Sequence, residues 1–199
     1  MTTKAYTSTY TNEPLDVDRK LSCKNPKSAY EYALYKDKCP RDDTRIAACK
    51  DPHYAFSYAK NVDQCPRDDT RLAACKDPDL AYSYARYIDK CSRDDTRKAA
   101  CKDPAYAYLY AQYVDKHPCD ETREAACKSI YWAYNYALSI DGCPRDDTRM
   151  FACEDAQYAC SYAIFVDRCF NEHTYTAAHK STNALKRYNA YVNTQLRKI

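Results

Sequence analysis

The sequence predicts an all-α fold, an α-solenoid of seven 26-residue two-helix repeats whose two end repeats are degenerate. Three observations predict it: one unit recurs at fixed spacing through most of the chain, glycine occurs once in 199 residues, and the apolar residues within each unit follow a helical period. A fixed period of this size means stacked supersecondary units, none able to bury its apolar face alone, with atypical units capping the ends. A single glycine argues strongly against hairpin-rich β architecture, where tight turns need residues tolerant of positive φ.

Aligning the cysteines sets the register. CPRDDTRIAACKDPHYAFSYAKNVDQ runs from Cys39, CPRDDTRLAACKDPDLAYSYARYIDK from Cys65 and CSRDDTRKAACKDPAYAYLYAQYVDK from Cys91. Further units start at 117, 143 and 169, and a weaker copy starts at 13. The unit at 169 decays after its cysteine but keeps Thr174, Ala177, Ala178, Lys180, Tyr188 and Val192. Residues 13–194 therefore form one repeat domain. The polar, threonine-rich residues 1–12 read as a flexible arm, and 195–199 as a C-terminal tail.

Each unit reads as two helices. In the first, Pro40 suits an initial turn, and Asp42 and Asp43 place negative charge at the positive end of the helix dipole. Thr44, Ala47 and Ala48 give it one side small enough for close approach of a neighbouring backbone. The second helix opens at Asp51-Pro52, an N-cap followed by proline at the first helical position, repeated as Asp77-Pro78 and Asp103-Pro104. Along it Ala55, Tyr58, Ala59 and Val62 recur as Ala81, Tyr84, Ala85 and Ile88, then as Ala107, Tyr110, Ala111 and Val114. Spacing of i, i+3, i+4 and i+7 makes one stripe, which is the expected core. Lys36 replaces Val62 in the first unit, as suits an end repeat. Asp63, Asp89, Asp115, Asp141 and Asp167 close the second helices, each shortly before an arginine of the following unit. The RDDTR segments could present an arginine ladder to phosphates, or could serve as caps and inter-repeat salt bridges; each arginine pair travelling with its own aspartate pair favours the second reading.

Thirteen cysteines form two columns and one exception. Column one is Cys39, Cys65, Cys91, Cys119, Cys143 and Cys169; column two is Cys23, Cys49, Cys75, Cys101, Cys127 and Cys153. Cys160 occupies a place held elsewhere by Phe56, Tyr82, Tyr108 or Tyr134, and reads as a filler of an apolar slot. Pairing each column-two thiol with the next column-one thiol leaves no orphan but Cys160, and that parity favours six disulfides. Helix geometry opposes it: a helix of about ten residues separates its ends by some 15 Å, whereas bridged Cα atoms lie within about 7 Å. The alternative is a small buried apolar side chain beside Ala47 and Ala48.

Several function classes find no support. No P-loop, G-x-G-x-x-G or H-E-x-x-H can be written, and a periodic array spreads identical groups evenly where catalysis needs a convergent constellation. The expectation is no enzyme, no cofactor and no small-molecule substrate. No C-x-x-C occurs and His53, His117, His173 and His179 are scattered, so no metal site is expected. A formal charge of +3 with interleaved signs argues against nucleic acid. No apolar run approaches a membrane span, and the N-terminal residues lack the apolar core of a secretory signal. The candidate binding groove is the aromatic series Tyr30, Phe56, Tyr82, Tyr108 and Tyr134 with Tyr87 and Tyr113 nearby; inter-repeat packing is the alternative for it.

The pattern RDDTRxAACKDPxYAYxYAxxVDxCP resembles the short DPxYAYxYA helical repeats of large phages and giant viruses over roughly residues 13–194. DDTRIAACKDP is also similar to the leucine-rich-variant type of short α-solenoid repeat. Neither resemblance implies a reaction. The cysteine columns depart from the usual viral repeat and point to an oxidising location; with the near-identical stacked units they lead to the expectation of a non-enzymatic structural or protein-interaction scaffold, stapled by disulfides, acting through self-assembly or a protein partner in a virion or extracellular setting. The alternative is an intracellular protein-binding module in the cytoplasm, with reduced cysteines and an aromatic groove.

Overall fold

The computed structural model describes residues 17–196, so the arm expected at 1–12 lies outside the described residues. Fourteen α-helices and no strand occur among them: α1 (Val17–Ser22), α2 (Pro26–Tyr32), α3 (Asp42–Ala48), α4 (Pro52–Tyr58), α5 (Asp68–Ala74), α6 (Pro78–Tyr84), α7 (Asp94–Ala100), α8 (Pro104–Tyr110), α9 (Asp120–Ala126), α10 (Ile130–Tyr136), α11 (Asp146–Ala152), α12 (Ala156–Tyr162), α13 (Glu172–Ala178) and α14 (Thr182–Leu196). Odd-numbered helices are the first of each unit and form one layer; even-numbered helices form the other. Each even helix before α14 packs on both flanking odd helices, more extensively on the one that follows it, and each unit touches its sequence neighbours as an α-solenoid requires.

Local chemistry explains the boundaries. Asp51 accepts hydrogen bonds from the backbone of His53 and Tyr54, and Asp103 from Ala105 and Tyr106, so the second helix is capped as its Asp-Pro signature predicts. The first helix starts later than expected. Pro40 lies in the preceding loop, α3 begins at Asp42, and Arg41 holds the N-cap position without a side-chain cap of its own. A tyrosine from the second helix supplies the missing partner, as described below.

Helices α2, α4, α6, α8, α10 and α12 continue without a break into five-residue π-helical turns, Ala33–Asp37, Ala59–Asp63, Ala85–Asp89, Ala111–Asp115, Ala137–Asp141 and Ala163–Asp167. The residue after each turn is left-handed: Lys38, Gln64, Lys90, Lys116, Gly142 and Arg168 have φ of 53–62°. This is a wide C-terminal cap, in which the amide of Lys116 reaches back to the carbonyl of Ala111 at 2.8 Å.

The expected stripe is the core at three of its four places; at the fourth Ile88 is buried but Val62 and Val114 are only half-buried. Ala55, Tyr58 and Ala59 are fully buried, as are their counterparts Ala81, Tyr84 and Ala85, and Ala107, Tyr110 and Ala111. Tyr58 packs against Ala33 of the preceding unit and Ala48 of its own, alanines being small enough to admit a phenol ring between helices. Removing each such side chain from water contributes on the order of 2–3 kcal/mol. The last unit closes the stack. Where earlier units direct Ala163 and Cys160 forward onto the next helix, α14 carries Asn189 and Lys186, both exposed, the polar outer face of a capping repeat. Cys160 fills an apolar slot as expected, wholly buried among Ala156, Ala163, Ala178, Ala184 and Tyr188.

The disulfide expectation is not met: Cys23, Cys39, Cys49, Cys65, Cys75, Cys91, Cys101, Cys119, Cys127, Cys143, Cys153 and Cys169 are free thiols, as is Cys160. The second helix with its π-turn stands between the members of each proposed pair. Column two sits at the C-caps of the first helices and turns inward, where Cys101 Sγ contacts the Glu121 carbonyl at 3.7 Å. Column one, Cys119 excepted, lies in exposed loops. With the bridges gone, the inference from bridges to an oxidising location lapses.

Candidate functional site

Two polar networks recur inside the array, and each consumes its own groups. In the first, the hydroxyl of Tyr58 lies 2.8 Å from Thr44 Oγ1, accepts from the Arg41 amide at 3.0 Å and is 3.1 Å from the Arg41 carbonyl. One phenol thus closes the open Arg41 amide at the start of α3, beside a carbonyl that also accepts from the Arg45 amide and Thr44 Oγ1. The same arrangement holds at Thr70–Tyr84, Thr96–Tyr110, Thr122–Tyr136, Thr148–Tyr162 and Thr174–Tyr188.

The second network gathers carboxylates around a buried guanidinium. Arg45 donates to Asp63 at the end of its own unit at 3.2 Å, to Asp69 in the next unit at 2.9 Å, and to Asp42. Arg71 repeats this with Asp89, Asp95 and Asp68. Arg97, Arg123 and Arg149 hold Asp115, Asp141 and Asp167 at 2.9 Å each. The second arginine of each RDDTR segment is thus turned to salt bridges within and between units, while Arg41, Arg67, Arg93 and Arg145 are exposed. Burial works against the charge of Arg45 and Arg71, but their hydrogen bonds to carboxylates hold both guanidinia more firmly protonated than when free. The carboxylates fare differently: burial pushes Asp63, Asp89 and Asp167 up despite their arginines. The Oδ2 atom of each is buried without a hydrogen-bond partner among the described residues.

Functional surface must therefore lie outside these networks, and two lengthwise ridges stand out. The first follows the π-turns. Tyr35, Tyr87, Tyr113 and Phe165 occupy one register position there and are all exposed. The guanidinium of Arg86 lies over the ring of Tyr113 at 4.3 Å and over that of Tyr87 at 5.2 Å, while the Lys60 ammonium sits between Phe56 and Tyr87 at 5.7 and 5.9 Å. A small cavity of about 180 Å³ opens beside this ladder, lined by Arg86, Lys90, Tyr113 and Lys116 among others.

The second ridge runs along the odd helices. Its register position, the residue between Arg and Ala-Ala in the units at 39, 65, 91 and 117, reads Lys20, Ile46, Leu72, Lys98, Glu124, Met150 and Thr176 through the array, all exposed. Between α11 and α13 the repeat pattern breaks. Phe151 replaces a buried alanine, Glu154 replaces lysine and His173 replaces an acid, and a groove of about 600 Å³ opens with Met150, Phe151 and Ala177 among its walls.

The aromatic series expected to line a groove is instead largely an inter-unit contact. Tyr30 packs on Tyr54, Tyr82 on Tyr106, Tyr108 on Trp132 and Tyr134 on Tyr158, with ring centroids 5.0–6.2 Å apart. Tyr82 and Tyr108 are buried; Phe56 is half-buried beneath Lys60. Tyr87 and Tyr113 alone of the seven stand on the exposed ridge. The outward ridge of odd helices was not singled out by sequence reasoning, although its signal is the single variable residue in the segment RDDTRxAAC of the units at 39, 65 and 91.

Burial raises the column-two thiols. Cys49, Cys101 and Cys127 are pushed up to about 12 and Cys75 to about 11. Among the described residues no cluster of three or more His, Cys, Asp or Glu is placed to hold a metal ion, and no helix is long and apolar enough to cross a membrane.

Fold and surface together define the class, an α-solenoid repeat protein. Comparison with protein-family models, with curated proteins and with solved structures finds no match to the chain.

Proposed function

We propose that this chain is a non-enzymatic structural scaffold, which presents evenly spaced side chains along a stiff rod to another protein or to copies of itself. One observation carries the reading. The threonine–tyrosine and inner arginine–aspartate groups are spent on holding the units together, while large aromatic and apolar side chains recur exposed in register among the surface charges: Tyr35, Tyr87, Tyr113 and Phe165 on one ridge, Ile46, Leu72 and Met150 on the other. Such residues are costly to leave in water and are enriched at interface centres. The resemblance to repeats of phages and giant viruses supports a place in a viral assembly. The free state of all thirteen cysteines favours a scaffold that works without staples, in a reducing compartment.

The test is site-specific photo-crosslinking in living cells, with a photoreactive phenylalanine analogue at position 87 or 72 and a control at exposed Lys102. Discrete crosslinked protein species from 87 or 72, absent from 102, are expected. No discrete species from either ridge would overturn the reading.

A further inference from the structure

The ridge of odd helices is self-complementary. Its central members read Leu72, Lys98, Glu124 and Met150 at equal steps of 26 residues, so a copy running antiparallel sets Lys98 against Glu124 and Leu72 against Met150. The equal 26-residue step pairs these four positions in sequence about one centre, midway between Lys98 and Glu124. Lys98 and Glu124 are exposed, and the neighbouring ion pairs, Arg97–Asp94 and Arg123–Asp120, involve neither; both are unpaired among the described residues. Leu72 and Ile46 project with 59 % and 61 % of their surface exposed. At the mirrored place, between positions 150 and 176, lies the groove beside Met150 and Phe151. Projections at one end and a recess at the other, separated by one cation and one anion, fit a second copy.

We propose that two copies of this chain associate antiparallel through the odd-helix ridge, about a two-fold axis between Lys98 and Glu124. Two reciprocal Lys98–Glu124 pairs fix the register, and Leu72 and Ile46 of each copy enter the other's groove between α11 and α13. A two-fold contact of this kind uses the same patch on both partners and closes at the dimer. The inference rests on the scaffold reading and names the partner for one of its two ridges; the aromatic π-turn ridge remains outward in the dimer.

Sedimentation velocity of the full chain, from micromolar to near-millimolar concentration, tests it. A dimer is expected. Lys98→Glu sets two pairs of like charges face to face and should weaken association about tenfold or more, and the swap Lys98→Glu with Glu124→Lys should restore it. Leu72→Asp should abolish it, while Tyr87→Ala should leave it unchanged. All these side chains are exposed, and far-UV circular dichroism checks that each variant keeps its helices. A monomer throughout, an open series of larger species, or a dimer that Lys98→Glu leaves intact or the swap fails to rescue would each overturn the proposal. Discrete hetero-species crosslinked from position 87 in that event would leave the scaffold reading standing.

Discussion

Tyr110 and Thr96 lie fourteen residues apart, both wholly buried, with 2.8 Å between their hydroxyl oxygens. The phenol also accepts from the Arg93 amide at 3.0 Å and lies 3.1 Å from its carbonyl. Tyr110→Phe keeps the ring and removes every one of these bonds, leaving the Arg93 amide at the start of α7 without its partner, while the Arg93 carbonyl keeps the Arg97 amide and Thr96 Oγ1. Thermal or urea unfolding should show a loss of about 1–3 kcal/mol. Thr96→Val in the same background should cost less than it does alone, because the shared bond is already gone. Additive costs would show that the two hydroxyls act independently.

Arg71 is the partner of three carboxylates, of which Asp89 is almost wholly buried. Arg71→Met retains much of the side chain's bulk but strands that charge, with an expected loss of about 3–5 kcal/mol. Adding Asp89→Asn removes the stranded charge and should return part of the loss. Denaturant midpoints of the two variants check this, and a double variant no more stable than Arg71→Met would contradict it.

Stability should also depend on pH with two opposing signs. Asp89, Asp63 and Asp167 have folded-state pKa values raised by burial, so their contribution is fully present below the unfolded value, about 3.9, and is lost as pH rises through the folded value. Burial also opposes the charge of Asp95 and Asp147, but hydrogen bonds from Arg71 and Arg145 and from the amides of Thr96 and Thr148 prevail and lower them. Their contribution is present above about 3.9 and is lost as pH falls through the lowered values. Urea titrations should therefore show stability rising as pH falls from neutral toward about 4, then declining below it. A monotonic fall from neutral pH would mean that the buried carboxylates are not raised.

How far the sequence reveals this structure depends on whether a feature is periodic. The stripe Ala55, Tyr58, Ala59 is a matter of local spacing, and it lies where the spacing places it. The bond from Tyr58 to Arg41 spans seventeen residues between two helices, and nothing local announces it. Left-handed caps were invisible because five of the six are Lys, Gln or Arg rather than glycine. Tyr30, Tyr82, Tyr108 and Tyr134 were visibly off the core stripe, but the rings that cover them sit twenty-four residues on, a step short of the full period. The cysteine parity misled for a simpler reason. Each full unit contributes one cysteine to each column, so cutting the array within a unit at both ends equalises the columns whether or not any bridge forms.

Gly142 is the one left-handed cap without a side chain, and a Cβ built there meets nothing within 4 Å. Gly142→Ala therefore isolates the backbone cost of φ near +62°, expected at about 1–2 kcal/mol. Lys116→Gly, at the equivalent place in the preceding unit, should change stability little or raise it, since relief of strain opposes the larger backbone entropy of unfolded glycine. Equal destabilisation by both substitutions would show that side-chain contacts, rather than backbone conformation, govern these caps.

Thiol chemistry separates the two columns. A thiol with a pKa near 12 is ionised to only about one part in ten thousand at pH 8, and the thiolate is the reactive form. Brief alkylation of the native protein should therefore modify the exposed Cys39, Cys65, Cys91, Cys143 and Cys169 first. Cys49, Cys75 and Cys101, half-buried, and Cys127, buried, are pushed up to between about 11 and about 12 and should react only after denaturant is added. Peptide mass spectrometry reads both stages on one sample. Thirteen alkylated cysteines after denaturation without reductant would match the free thiols of the structure, whereas one alkylated cysteine, Cys160, would restore the six staples. Early labelling of Cys101 together with the exposed column would show that the C-caps of the first helices open in the native state, and that the interior of the array is looser than its packing implies.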